Sequence, residues 1–332
     1  MTLRLARLLI ACATVLSITL PSHAEVAHIG FQRTALSGPI YIAADKGYFA
    51  AEGIEPDFVF FDGAEPIAVA TVSGDIDFGI TGLTAAFYNL AGKGALRIVT
   101  AYAREAPGFQ SAAIVASKRA YDAGFKSLKD SAGHSFGVTQ IGSTYHYSLG
   151  LLAEKYHFDL SSVRLLPLQS VPNIVSALAG GQADAGLLTA PAAIQMTEKG
   201  NGKLLGWVGD ETPWQPGVVI ASAKTTDTRG DFIRRFIRAF VRGSKDFHDA
   251  FTGPDEKRRD MAGASENLAL IAKHLNQPID QVRSAITYMD PEARLDVKDV
   301  MHQIDWYAAQ KLTKDKVDGE KLIDRRYVVA LP

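Results

Sequence analysis

Beyond position 12 the chain has no cysteine, and Cys12 is the only one in 332 residues. It sits in an N-terminal apolar run, Leu8 to Leu20, preceded by Arg4 and Arg7 and followed by Pro21-Ser22-His23-Ala24. Small residues at those last positions suit a signal peptidase, so cleavage after Ala24 is expected, with the chain exported. The stretch Leu9-Ile10-Ala11-Cys12 resembles a lipidation box, but the apolar run continues to Leu20, past the point where a lipidated cysteine ends it. A mature chain beginning at Glu25 then has no thiol, which excludes disulfides, thiol catalysis and cysteine metal sites. Charge of one sign is also missing. Basic residues number 35 and acidic residues 36, net charge is -1, and no basic run occurs, so no nucleic-acid partner is expected. No later apolar stretch reaches the length of a membrane span. His146 has no second histidine at ligand spacing, and neither a metal nor another cofactor is expected.

What remains is a globular composition, 47% hydrophobic and 21% charged, in a chain long enough for one large core or two moderate ones. The pattern favours two. Gly30 and Gly137 are separated by 137 − 30 = 107 positions, and Gly74 and Gly181 by 181 − 74 = 107. At that offset the strand pattern Ala27 to Gln32 falls within Gly133 to Thr139, Glu65-Pro66-Ile67 overlies Pro172-Asn173-Ile174, and Gly74 to Ile80 overlies Gly181 to Leu187. Strands alternating with helices of this length imply parallel sheets covered by helices. Val218-Val219-Ile220-Ala221 is a further strand with no counterpart in a two-copy design, and is expected to return to the first lobe. The expected division is 1–24 signal peptide, 25–103 first lobe, 104–215 second lobe, and 216–332 return strand and C-terminal helices. Crossings near Ala103 to Phe109 and Pro213 to Gly217 form a two-strand hinge. In the tail, Phe232, Phe236, Ala239, Phe240 and Phe247 share one helix face and are read as core.

Gly137-Val-Thr-Gln-Ile-Gly-Ser-Thr144 reads as a strand, a small-residue turn and a helix start. Gly142 permits close approach of the backbone, Ser143 or Thr144 caps the helix, and the first-turn amides offer a seat for an anion. An ordinary capped helix has the same pattern.

Pro39-Ile-Tyr-Ile-Ala-Ala-Asp-Lys-Gly-Tyr-Phe-Ala-Ala-Glu-Gly-Ile54 resembles the opening of nitrate/sulfonate/taurine-type solute-binding proteins of ABC transporters. Val72 to Gly79, Gly142-Ser143-Thr144, and Asp184 followed by Ala190-Pro191 are similar to later motifs of that family. The resemblance implies an α/β, two-lobed periplasmic binding protein fold of type II-like layout, each lobe a mainly parallel sheet flanked by helices. It implies a monomer that captures a small-molecule ligand by closing and delivers it to an ABC transporter permease. Some relatives of this fold are enzymes acting on pyrimidines or small cyclic acids. The synthases carry a cysteine-rich motif absent here, and a dehydratase needs a positioned acid such as Glu105 or Asp62.

In open α/β sheets, ligands sit beyond the carboxyl ends of the strands. That selects Arg33, Ser37 and Gly38, then Thr81 and Gly82, then Gln140, Ser143 and Thr144, then Thr189 and Pro191, with Trp214 beside the hinge. The serine, threonine and arginine content of these strand ends favours an organic anion such as a sulfonate, a carboxylate or an aromatic acid, with pyrimidines also open. Arg33 and Arg104 are the candidate counterions, and Trp214 and Tyr145 could stack on a planar ligand. Asp75, Asp77 and Asp184 are read as turn or cap residues, not catalytic ones.

Overall fold

The computed structural model describes residues 24–259 and 265–332; the expected signal segment through His23, with Cys12, lies outside them. The strands are β1 (Glu25–Phe31), β2 (Ile54–Phe60), β3 (Phe78–Gly82), β4 (Leu96–Ala101), β5 (Ala112–Ser117), β6 (Ser135–Val138), β7 (Arg164–Pro167), β8 (Ala185–Thr189), β9 (Gly202–Trp207) and β10 (Gly217–Ser222). They form two five-stranded sheets, ordered β2-β1-β3-β10-β4 and β7-β6-β8-β5-β9. Each is parallel except for its fourth strand, β10 in the first and β5 in the second.

β10 returns to the first sheet as expected, but it does have a counterpart. β5 holds the same place in the second sheet, so each sheet is completed by the strand that follows a crossing. The pattern conceals β5 because all of its residues, from Ala112 through Ser117, are buried. A strand covered on both faces has no alternation to read.

The 107-residue offset has a packing origin. Gly30 pairs with Gly79 in the first sheet and Gly137 with Gly186 in the second. A Cβ on Gly79 would lie 2.8 Å from Ile67, and one on Gly186 would lie 2.6 Å from Ile174. Both isoleucines come from equivalent helices, Ala64–Ser73 and Val171–Ala179. Glycine in these strands therefore lets each helix press onto its sheet. Asp77 accepts the His28 amide at 3.0 Å, and Asp184 accepts the Ser135 amide at 2.9 Å. These carboxylates tie neighbouring strands together.

The helix Gly230–Phe251 buries Phe232, Phe236, Phe240 and Phe247 against the first lobe, with Phe236 stacked on Phe78 at 3.7 Å. It crosses the helix Gly38–Asp45 closely, since a Cβ on Gly243 would sit 2.2 Å from the Pro39 carbonyl. Backbone cannot yield as a side chain can. Gly243→Ala is expected to destabilise the fold by about 1–3 kcal/mol through overpacking, read as a lower urea midpoint; an unchanged midpoint would mean the two helices slide apart freely.

Not all of the tail belongs to the first lobe. The helix Val297–Ala309 shares one core with Leu83 and Tyr88 on one side and Tyr147 and Leu149 on the other. The Tyr307 hydroxyl reaches the carbonyls of Leu83 (3.1 Å) and Ser143 (3.3 Å), and Trp306 fills the space over Gly150. At the hinge, the Glu105 amide donates to the Trp214 carbonyl at 3.0 Å and the Trp214 amide to the Glu105 carbonyl at 3.2 Å.

Candidate functional site

Between the sheets lies a cavity of about 990 Å³, at the upper end of the range for small-molecule sites. Its walls are the carboxyl ends of strands from both sheets: Gln32 to Ser37 and Ile80 to Gly82 on one side, Thr139 and Thr189 on the other. The hinge supplies the floor through Ala103, Glu105 and Trp214. Gln277, Gln281 and Ser284 face Gln195 and Glu198 across the mouth, where the helices Ile279–Ser284 and Ala190–Glu198 pack together.

Arg33, Ser37, Thr81, Gly82, Thr144, Thr189, Pro191 and Trp214 line this cavity. Gly38, Gln140 and Ser143 lie off it. Gly38 is buried beneath Phe247 and Ile271, where a Cβ would meet both rows of carbons within 2.7 Å. Gln140 is an exposed turn residue whose carbonyl accepts the Ser143 amide at 3.2 Å. Ser143 caps its helix, its Oγ accepting the His146 amide at 3.3 Å.

The expected anion seat is only partly open. Ser37 caps no helix; its Oγ donates to the Gln32 carbonyl at 2.8 Å. Thr81 Oγ1 donates to the Ala64 carbonyl at 3.0 Å, and Ser148 Oγ to the Thr144 carbonyl at 3.1 Å. The Gly142 amide donates to Nδ1 of His146 at 3.0 Å. Burial pulls the His146 pKa down to about 4, which keeps that nitrogen an acceptor at neutral pH. The Gly142 carbonyl accepts the Ala85 amide at 2.9 Å, so the turn docks on the first lobe. In the helix Thr144–Tyr156, the Thr144 and Tyr145 amides have no acceptor among the described residues.

The two arginines part company. Arg33 is exposed, its guanidinium 4.0 Å above the Phe60 ring. Arg104 pairs with Asp296 at 3.2 Å and does not line the cavity. Trp214 is 2% exposed and packs on Tyr147 with ring centres 4.9 Å apart, so most of its ring is covered by the protein.

The most unusual group is Glu105, only 4% exposed, with Oε2 lacking a partner among the described residues. Burial pushes its pKa up to about 8, against the pull of the Ser111 hydroxyl and the Ala112 amide. Trp214 Nε1 is likewise buried and unpartnered. Sequence reasoning named Glu105 only as the acid an enzyme would need. The signal that could have placed it in a binding floor was an acid at one of the expected crossings, beside Arg104 in a stretch otherwise without charge.

A family model described as "NMT1/THI5 like" matches residues 35–256. No curated protein sequence matches. Solved structures of the same fold include the alkanesulfonate-binding protein SsuA from Xanthomonas axonopodis pv. citri bound to MOPS, at 19% identity and TM-score 0.68, covering 90% of this chain and 98% of that one. The periplasmic aliphatic sulphonate-binding protein SsuA from Escherichia coli matches at 18% identity and TM-score 0.69, over 93% and 94% of the two chains. The periplasmic nitrate-binding protein NrtA from Synechocystis PCC 6803 matches at 12% identity and TM-score 0.67, over 92% and 87%.

Proposed function

This chain belongs to the NMT1/THI5-like family, and from that premise we propose that it is the periplasmic solute-binding protein of an ABC importer. In this reading it is exported, cleaved after Ala24, and works as a monomer that closes on a small organic solute and passes it to a membrane permease. The observation that carries the reading is the cavity itself, whose walls come from strand ends of both sheets and whose floor is the hinge. A solute touching both lobes favours the closed form by whatever it gains from the second lobe. A hydrogen bond to a charged group is worth roughly 1.5–3 kcal/mol, so a few of them with some apolar burial outweigh the cost of association. Arg33 and the Thr144 and Tyr145 amides support an anionic part on the solute; the engaged hydroxyls do not.

A thermal-shift panel of sulfonates, nitrate, carboxylates and nitrogen bases identifies a solute. With the stabilising compound added, X-ray scattering from the mature chain should show a smaller radius of gyration than without it. Superimposable curves would remove closure from the mechanism. Glu105 favours one second reading: held protonated near neutral pH, it is also the acid a dehydratase would use. Recovery of the compound unchanged after long incubation decides for the binder.

A further inference from the structure

We propose that the solute carries a basic nitrogen, as an ammonium, amidinium or guanidinium group, and that Glu105 receives it while the Trp214 indole N–H donates to an acceptor beside that nitrogen. This rests on the solute-binding reading above and names the chemistry of the same cavity.

Glu105 and Trp214 are hydrogen-bonded partners across the two hinge crossings, so their side chains leave the backbone on the same side, with Cα atoms about 5.5 Å apart. Both line the cavity, both are more than nine-tenths buried, and each keeps one polar atom without a partner. Buried polar groups are nearly always satisfied, and an exception at a cavity wall is accounted for when the occupant supplies the missing partner. No side chain among the described residues supplies it. Arg104, the adjacent residue, is paired with Asp296, and Arg33 stacks on Phe60. Arg33 is the one cation lining the cavity among the described residues, against the carboxyls of Glu105, Glu198 and Asp280. Once ionised, the buried Glu105 needs a positive partner, and an occupant with a basic nitrogen supplies one.

The groups acting on Glu105 from neighbouring elements are Asp210, which raises its pKa further, and Ser111 and the Ala112 amide, which lower it; Tyr145 feels the Glu105 charge in turn. Receiving a cation requires the carboxylate, so binding releases a proton while pH lies below about 8. Affinity for a nitrogen base should then rise with pH, about tenfold per unit at most. An anion held by the protonated acid would show the opposite slope.

Calorimetric titration of the mature chain at pH 6 and pH 8 with butylamine, 4-aminobutyrate and benzamidine, and with butyrate, benzoate and methanesulfonate, tests this. The expected result is binding of at least one nitrogen base, strengthened tenfold or more at pH 8. Glu105→Gln should weaken that binding at least tenfold. Should the variant fail to fold, proton release by wild type, measured in buffers of different ionisation heat, answers the same question. Binding confined to the anions, or weakening as pH rises, overturns the inference and leaves the solute-binding reading in place. No response to any nitrogen base at millimolar concentration overturns the inference as well. Chemical conversion of a probe overturns the solute-binding reading.

Discussion

Glu105→Gln should make the ligand-free protein more stable than wild type at pH 9, by on the order of a few kcal/mol, and no more stable at pH 4. Glu105 is buried at the hinge with no counterion among the described residues, and burial pushes its pKa from 4.5 up to about 8. The folded state therefore holds the proton more tightly than the unfolded chain does. Glu105 burdens the fold least below pH 4.5; the relative stability present there is lost as pH climbs through about 8. Each unit of difference is worth about 1.4 kcal/mol, and glutamine, of the same shape, has no charge to bury. Measuring both proteins at every pH cancels the other titrating groups. Parallel stability curves would mean that the carboxylate finds water or a partner in the folded protein. Improvement on removal is what a group kept for binding shows, since such groups are held against the interest of the fold.

Gln215→Leu should cost about 3 kcal/mol or more, seen as a lower denaturation midpoint, with the volume of the side chain nearly kept. Gln215 is fully buried. Its Nε2 lies within reach of the carbonyls of Tyr102 (3.1 Å), Ala103 (3.1 Å) and Gly217 (2.7 Å), all on the two crossings of the hinge. Its own amide donates to Asp299 Oδ2 at 2.9 Å, and its carbonyl accepts from Gln303 Nε2 at 2.9 Å. Asp299 also takes the Tyr147 hydroxyl of the second lobe at 2.9 Å. Leucine would leave the Tyr102 and Ala103 carbonyls without donors, at about 1–3 kcal/mol for each one stranded, while the Gly217 carbonyl keeps the Tyr102 amide at 3.2 Å. Gln303→Leu is the comparison: it removes the donor to the Gln215 carbonyl but leaves those to the Tyr102, Ala103 and Gly217 carbonyls in place, so its midpoint should fall less. Equal stability of Gln215→Leu and wild type would place water at the hinge carbonyls.

The lobes and the strand ends were legible because they depend on spacing. Gly79 and Gly186 recur at one offset because Ile67 and Ile174 recur above them, and that leaves a mark in the sequence. β5 left none, being apolar at every position that could have alternated. The hydroxyls of Ser37 and Thr81 sit at strand ends where a ligand seat was expected, yet their protons go to Gln32 and Ala64, a choice made by backbone geometry. Gln277 and Gln281 reach the mouth only through the packing of a distant helix, so no local pattern marks them. Glu105 was visible as a residue; its burial, which is what sets its chemistry apart, comes from the closing of the two crossings on each other.

The position of β10 has a consequence for how the chain is completed. It lies between β3 and β4, and among the strands of its sheet β4 has no other partner. Made from its amino end, the polypeptide therefore carries a gap in its first half until residue 217 onward has arrived, and that half cannot set early.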